Sequence, residues 1–264
     1  MTAFEMIKLE RDGTSGVAEL TLSRPEKYNA VNMQMHGELA QALKLLQRDR
    51  ELRAVIFTGE GKAFCAGQDL AEFGMFPEGH RVDDHVRNTF NKFVLGLRAL
   101  PVPVIGAING IAAGAGASLA LATDIRIVAD NASFLQAFIR IGLVPDTGST
   151  WLLPQLVGVQ KALELAWTGD TVDATQAVAL GLATRVVPQA ELLTETRAFA
   201  QRLAAMPTRA IGMTKRAIYR SLTTTFDEAL EYEAQLQQIA VGTNDHREGV
   251  MAFLEKRNPA FTGS

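Results

Sequence analysis

The sequence predicts an α/β fold with a helical last third, and three observations carry this. Over the first two-thirds, short apolar runs of strand length alternate with segments whose apolar residues recur at helical spacing. After about residue 159 the helical signal dominates, first in "KALELAWTG" and "TQAVALG", then almost without interruption from Gln189 to Arg257. The composition, 47% hydrophobic and 21% charged over 264 residues, is that of a globular chain able to bury one large core. There is no repeat, low-complexity tract or flexible linker.

Taken in order, residues 5–23 alternate about "RDGTSG", with Ile7 and Leu9 before it and Ala18, Leu20 and Leu22 after it, as a β-hairpin does. "SRPEKYNAVN" is a loop punctuated by Pro25, and Asn32 is suited to cap the helix that follows. That helix carries Leu39, Leu43 and Leu46 on one face. "AVIFTG" is a short buried strand ending at Gly59, and "EGKAFCAGQDLAEF" is a loop running into a short helix. A polar segment with Pro77 and Gly79 precedes a single helix with Val86, Phe90, Phe93, Leu97 and Leu100 on its apolar face. "VPVIGAIN" and "DIRIVAD" are strands. The C-terminal helices form a layer on the core or an arm for oligomerisation.

Several function classes are excluded. A net charge of −3, with no basic run longer than two residues, argues against nucleic-acid binding. The single cysteine, Cys65, rules out an internal disulfide, and four scattered histidines argue against a structural zinc site. "MTAFEMIKLERDG" has acidic residues and no apolar core, so it is no signal peptide and a cytoplasmic location is expected. The uncharged stretch between Ala99 and Asp124 is long enough to span a membrane. Its opening, "LPVPVIGAING", breaks with two prolines, an asparagine and two glycines, and fits a strand, a turn and a short buried helix instead.

Two loops share one grammar: "FCAGQDL", Phe64 to Leu70, and "NGIAAGAGASL", Asn109 to Leu119. Each follows a buried strand, is rich in small residues and opens a helix. Small residues admit another group close to the backbone, and the first N–H groups of a helix lack partners. Such groups can hold a phosphate or a developing oxyanion. The phosphate option fails, because "GAGASL" lacks the third glycine of a dinucleotide fingerprint and no P-loop motif is present.

The pair resembles the two oxyanion-hole segments of the enoyl-CoA hydratase/isomerase (crotonase) superfamily. The resemblance extends to "LSRPEKYNAVN", similar to an early CoA-contact loop, to "FLQAFIRIGLVPDTGSTWLLPQLVG", similar to a second catalytic segment, and to "EGVMAFLEKRNPAF", similar to a C-terminal CoA-contact helix. It implies a ClpP-like ββα-spiral core over residues 1–200 and a C-terminal α-helical region over 201–264 that serves oligomerisation and CoA contacts. The implied partner is an acyl-CoA, with CoA as thioester carrier and no metal or redox cofactor, and the implied assembly is a homotrimer or homohexamer. The backbone N–H groups of Gln68 and Ala115 would point at the thioester oxygen. Lys27 and Tyr28 would lie near the pantetheine and nucleotide entry, Ala66 near the adenine, and Phe253 and Lys256 near the nucleotide, often of a neighbouring subunit.

The chain departs from hydratases of that superfamily at the two glutamates, whose positions fall on Ser118 and Phe138. Serine is a poor base and phenylalanine transfers no proton, so ordinary hydration is disfavoured. One carboxylate remains in the segment, Asp146 in "GLVPDTGSTW". It can cap a helix, or it can act as a single acid/base that moves a proton from C2 to a remote carbon. Phe134, Phe138, Leu143 and Trp151 would make its surroundings apolar and raise its proton affinity. Loss of both glutamates and an aspartate after "GLVP" resemble the branch of ring-1,2-epoxyphenylacetyl-CoA isomerases. That branch converts the epoxide to an oxepin-CoA and can shift 3-enoyl-CoA double bonds to the 2 position. The alternatives are an enoyl-CoA hydratase using Asp146 with water, and a non-catalytic acyl-CoA-binding member of the fold. Cys65 reads as a buried thiol, Asp69 as a cap of the short helix, Ser118 as small-residue packing and Asp124 as a partner for local backbone. His36, His80, His85 and His246 match no catalytic spacing. The acyl pocket depends on the loop from Glu72 to Asp84.

Overall fold

The structure, a computed structural model, describes residues 4–73 and 81–264. Its strands are β1 (Ile7–Arg11), β2 (Val17–Leu22), β3 (Ala54–Gly59), β4 (Ala63–Cys65), β5 (Val104–Ile108), β6 (Ile111–Ala113), β7 (Ile125–Ala129), β8 (Ser133–Leu135), β9 (Thr171–Asp173) and β10 (Arg185–Val187). They form two sheets, ordered β1-β2-β3-β5-β7-β10 and β4-β6-β8-β9. The expected hairpin is present, with Ile7 opposite Leu22 and Leu9 opposite Leu20. From β2 onward the first sheet is parallel. Every residue of β3 and β5 is buried, as continuous apolar runs require of parallel strands covered on both faces.

The second sheet was not legible in the sequence, because three-residue strands show no periodicity. Within a few residues of leaving the first sheet, the chain enters the second, from β3 to β4, β5 to β6 and β7 to β8. After each such pair it turns into helix. Each turn of chain thus contributes two strands and then helix, which is a ββα spiral. Two buried asparagines hold the corners. Asn29 donates to the carbonyls of Glu60 and Ala63 and accepts from the N–H of Arg24. Asn109 donates to the carbonyls of Gly61 and Ala63 and accepts from the N–H of Gly59.

The helices are α1 (Met33–Arg48), α2 (Leu70–Phe73), α3 (Val82–Asn88), α4 (Phe90–Ala99), α5 (Ala115–Leu121), α6 (Ser149–Val157), α7 (Val159–Thr168), α8 (Ala174–Ala179), α9 (Leu192–Ala204), α10 (Thr208–Ser221), α11 (Phe226–Val241) and α12 (Asn244–Glu255). Asn32 caps α1 through Met35 N at 2.8 Å, and Leu39, Leu43 and Leu46 are buried as expected. The single helix expected after the polar segment is two. Thr89, at φ −117° and ψ −92°, breaks it, and its hydroxyl donates to the His85 carbonyl. Residues 74–80, with Pro77, Gly79 and His80, lie outside the described residues.

The nearly continuous C-terminal helix is also interrupted, at Pro207 and at the capping residues Thr225 and Thr243. Helix α9 buries Leu192, Thr196, Ala200 and Ala204 and packs against the first sheet. Helix α10 is fastened by Asp124, which lies 2.8 Å from Lys215 Nζ, accepts from the Tyr219 hydroxyl and also takes the N–H of Val104. The expected role of Asp124 toward backbone is therefore one part of a larger junction. Helices α11 and α12 bury little, and Phe226 and Phe253 are 76% and 82% exposed. Among the described residues no helix is long and apolar enough to cross a membrane.

Candidate active site

The site is built where β4 and β6 run parallel and each ends in a loop. After Cys65 the chain forms a short bridge with Val31. The N–H of Val31 donates to Gly67 O at 2.7 Å, and the N–H of Asp69 donates to Val31 O at 3.0 Å. The peptide between them turns the other way, so the N–H of Gln68 meets no acceptor among the described residues. On the second loop, Gly114 donates to Leu135 O and α5 begins at Ala115. As the first residue of a helix, Ala115 has no intrahelical acceptor for its N–H, and no other group among the described residues supplies one.

Two glycines let these loops meet. Gly67 has φ +95°, and a Cβ there would stand 2.9 Å from Ala113 O and 3.3 Å from Ala115 N. A Cβ on Gly116 would stand 2.0 Å from Cys65 O, a distance no side chain can occupy. The two unpaired N–H groups therefore sit on loops packed backbone to backbone. Cys65 beneath them is fully buried, donates to Asn29 O and has its thiol pushed up to about 12 by burial, so it is no nucleophile.

Asp146 lies in the turn before α6. It does not cap that helix with its carboxylate. The helix starts at Ser149 behind Gly148 at φ +86°, and Asp146 offers only its carbonyl oxygen, to the N–H of Ser149. The carboxylate accepts from the Thr147 hydroxyl at 2.8 Å, and Thr147 holds φ +56°, a strained value for a β-branched residue. Burial raises the Asp146 pKa above the ordinary carboxylate range, against the opposing pull of the Thr147 hydrogen bond. Ser118 is more than small-residue packing. Its hydroxyl donates to Asp146 O at 3.1 Å, tying the turn to α5 one helical turn from Ala115.

Of the four apolar residues expected around Asp146, Phe138 is buried in the preceding 3-10 turn, and Leu143 is exposed. Phe134 faces a small cavity with Leu121, Leu153 and Val172, and Trp151 stacks on Arg98. Val94 and Leu152 each lie within 4 Å of where a Cβ on Gly148 would stand, two residues after Asp146.

Tyr28 and Ala66 are brought together, since the N–H of Ala66 donates to Tyr28 O at 3.0 Å, and both are exposed beside exposed Lys27. Tyr28 and Asn29 hold successive left-handed conformations, with φ 52° and 55°. Asp69 takes the N–H of Ala71, as expected of a cap, and also a 2.6 Å ion pair from Arg24. Burial works against its ionisation, but the hydrogen bonds from Arg24 and Ala71 and the charges of Arg24 and Lys27 hold its pKa below the ordinary range. Phe253 on α12 and Lys256, which caps the end of that helix, are exposed.

Sequence reasoning missed His36 and His85. Both are buried, and both direct Nε2 at the Gln68 side-chain oxygen, at 3.3 and 3.1 Å. They lie on different helices, and no spacing rule joins them. A cavity of about 960 Å³ between α10 and the ends of α1 and α4 is lined by Arg98, Lys215 and Tyr219. Lys215 there is engaged by Asp124, and Arg98 stacks on Tyr219.

Parallel strands of a ββα spiral that hold two unpaired peptide N–H groups, with the Asp146 turn tied to the helix that one of them opens, define the class: the chain has the crotonase fold. It belongs to the enoyl-CoA hydratase/isomerase family, whose model matches residues 12–264. It is 45% identical over 250 residues to the 1,2-epoxyphenylacetyl-CoA isomerase of Escherichia coli K12, covering 94% of this chain and 95% of that one. It is 34% identical to the trans-2-decenoyl-[acyl-carrier-protein] isomerase of Streptococcus mutans, over 94% of this chain and 95% of that one. The crystal structure of an enoyl-CoA hydratase from Bacillus anthracis superposes with a TM-score of 0.93 at 34% identity, covering 98% of this chain and all of the other.

Proposed function

We propose that this enzyme is an acyl-CoA isomerase in which Asp146 moves a proton. The carboxylate removes a proton from C2 of the thioester, negative charge develops on the thioester oxygen, and the N–H groups of Gln68 and Ala115 stabilise it. The same carboxyl then returns the proton to a remote carbon. Donors that gain strength as charge develops lower the barrier without tightening ground-state binding. The observation that carries this reading is a carboxyl with raised proton affinity, on a turn whose Asp146 backbone carbonyl accepts from Ser118 of α5, the helix that Ala115 opens. Neither Ser118 nor Phe138 supplies the second carboxylate that hydration of a 2-enoyl thioester would use.

The proposed substrates are 1,2-epoxyphenylacetyl-CoA, converted to oxepin-CoA, and 3-enoyl-CoA, converted to 2-enoyl-CoA. Similarity to the E. coli isomerase supports the first. Lys27, Tyr28 and Ala66 form the CoA entry, and Phe138 lines the acyl side. Phe253 and Lys256 meet the nucleotide from a neighbouring subunit in a trimer or hexamer, a role supported by their exposure on a sparsely buried helix. CoA enters as the carrier of the substrate, and no step needs a metal or redox group.

The test is the rate of 3-enoyl-CoA to 2-enoyl-CoA isomerisation for wild type and Asp146→Asn. A fall on the order of 10²- to 10⁴-fold, with folding and CoA binding kept, is expected for loss of the acid/base. Unchanged turnover would remove Asp146 from the chemistry. Turnover of 2-enoyl-CoA to its hydrate as the dominant reaction would instead favour the hydratase reading that the Bacillus neighbour's name raises.

A further inference from the structure

The Gln68 side chain has one satisfied end and one open end. Its oxygen Oε1 lies 3.3 Å from His36 Nε2 and 3.1 Å from His85 Nε2, while its nitrogen Nε2 is buried and has no partner among the described residues. A carboxamide oxygen has two lone pairs, so it can accept from both rings provided each carries its proton on Nε2. His36 and His85 are 7% and 6% exposed, and burial, aided by the neighbouring His85, pushes His36 down to about 4 against the favourable bond to Gln68, so the His36 ring is neutral at pH 7. The rings are braced edge-to-face, at 5.3 Å from each other and at 4.4 and 6.5 Å from Phe90. His36 comes from α1 and His85 from α3, so two helices meet at one side chain, and Phe90 from α4 braces both rings.

We infer that His36 and His85 are positioning residues that lock the Gln68 carboxamide with its oxygen tied and its N–H₂ as the open end. The inference rests on the proposed role of the Gln68 backbone N–H as an oxyanion donor. An unlocked carboxamide could turn its oxygen, with its partial negative charge, toward a developing oxyanion and oppose it. The lock removes that option, fixes the loop that carries the peptide donor, and leaves a donor as the open end. A buried amide nitrogen without a partner is costly and rare, and it indicates a group that arrives with the ligand. Neither imidazole touches the reacting atoms in this scheme, and both act through Gln68.

Two measurements test this. The first is the thioester carbonyl stretch of bound 2-enoyl-CoA, by difference infrared spectroscopy, which reads polarisation by the oxyanion hole without requiring turnover. The second is kcat for 3-enoyl-CoA isomerisation in a mutant cycle of His36→Phe with His85→Phe, Gln68→Met, and all three together. Phenylalanine keeps a ring against Phe90, and methionine keeps the volume of Gln68; circular dichroism and thermal melts verify folding. The expected results are a carbonyl stretch lowered in wild type and less lowered in the histidine pair variant. The expected kcat falls on the order of 10-fold in the pair variant and no further once Gln68→Met is present, since coupled residues are non-additive. Multiplicative losses, or a stretch equally lowered in the pair variant, would overturn the lock. A wild-type stretch that is not lowered at all would remove the oxyanion hole itself, and the lock with it. Should the double histidine variant not fold, His85→Phe alone with Gln68→Met completes a smaller cycle with the same readings.

Discussion

In the proposed reaction, Ser118 and Asp146 set the chemistry between them. Where hydratases of the resembling family carry a glutamate, a serine here spends its hydroxyl on the Asp146 carbonyl, and the site keeps one carboxyl. That carboxyl holds its proton more tightly folded than unfolded, because burial disfavours its charge. The sign for stability follows. As pH rises from the ordinary carboxylate range through the raised value, the folded state loses stability at this group. Asp146→Asn is therefore expected to raise Tm at pH 7 while suppressing isomerisation, and calorimetry at neutral and acid pH should find the gain shrinking as the wild-type carboxyl is protonated. For activity the dependence is opposite: kcat/KM falls as pH drops through the raised value. The acid limb of the wild-type pH profile thus lies above the range of an exposed aspartate, and it is absent from whatever rate the Asp146→Asn variant retains. The sequence revealed Asp146 through its segment, but not its strained turn or the histidines on Gln68, which depend on contacts between distant elements.

At the scale of elements, the long strands and the amphipathic α1 were legible because burial imprints a period or a continuous apolar run on the sequence. The three-residue strands β4, β6 and β8 were not, since nothing so short can display a period, yet they bring the two loops together. The helix interruption at Thr89 was hidden for a related reason: the apolar spacing continues across it while the backbone does not. Packing between β4 and α5 leaves no room at Gly116, where a Cβ would fall 2.0 Å from one carbonyl oxygen and 2.7 Å from its carbon. Gly116→Ala is expected to destabilise the fold by roughly 1–3 kcal/mol, typical of overpacking, and to lower isomerisation further by parting the loops. Urea unfolding beside kcat on the surviving folded protein checks both.

At the scale of the whole molecule, one carboxylate couples the helical region to the core. Asp124 and Lys215 are 14% and 9% exposed at their side chains, 2.8 Å apart, and Tyr219 joins them. Burial lowers the Lys215 pKa, and Asp124 opposes that shift. Removing the acid alone would strand a buried ammonium, so Asp124→Ala is expected to cost about 3–5 kcal/mol. Limited proteolysis should then cut first between α9 and α10, and a cut pattern identical to wild type would speak against this junction. The sequence announced a helical C-terminal region but not its turns, because capping residues such as Thr225 and Thr243 are common in helix interiors too.

The two peptide N–H groups at Gln68 and Ala115 have a bearing on descent as well as on rate. A donor that belongs to the main chain survives every codon change at its position except one to proline. In the proposed mechanism, drift in side chains therefore leaves that part of the apparatus standing, while replacements at positions such as 118, 138 and 146 would redirect where the proton goes.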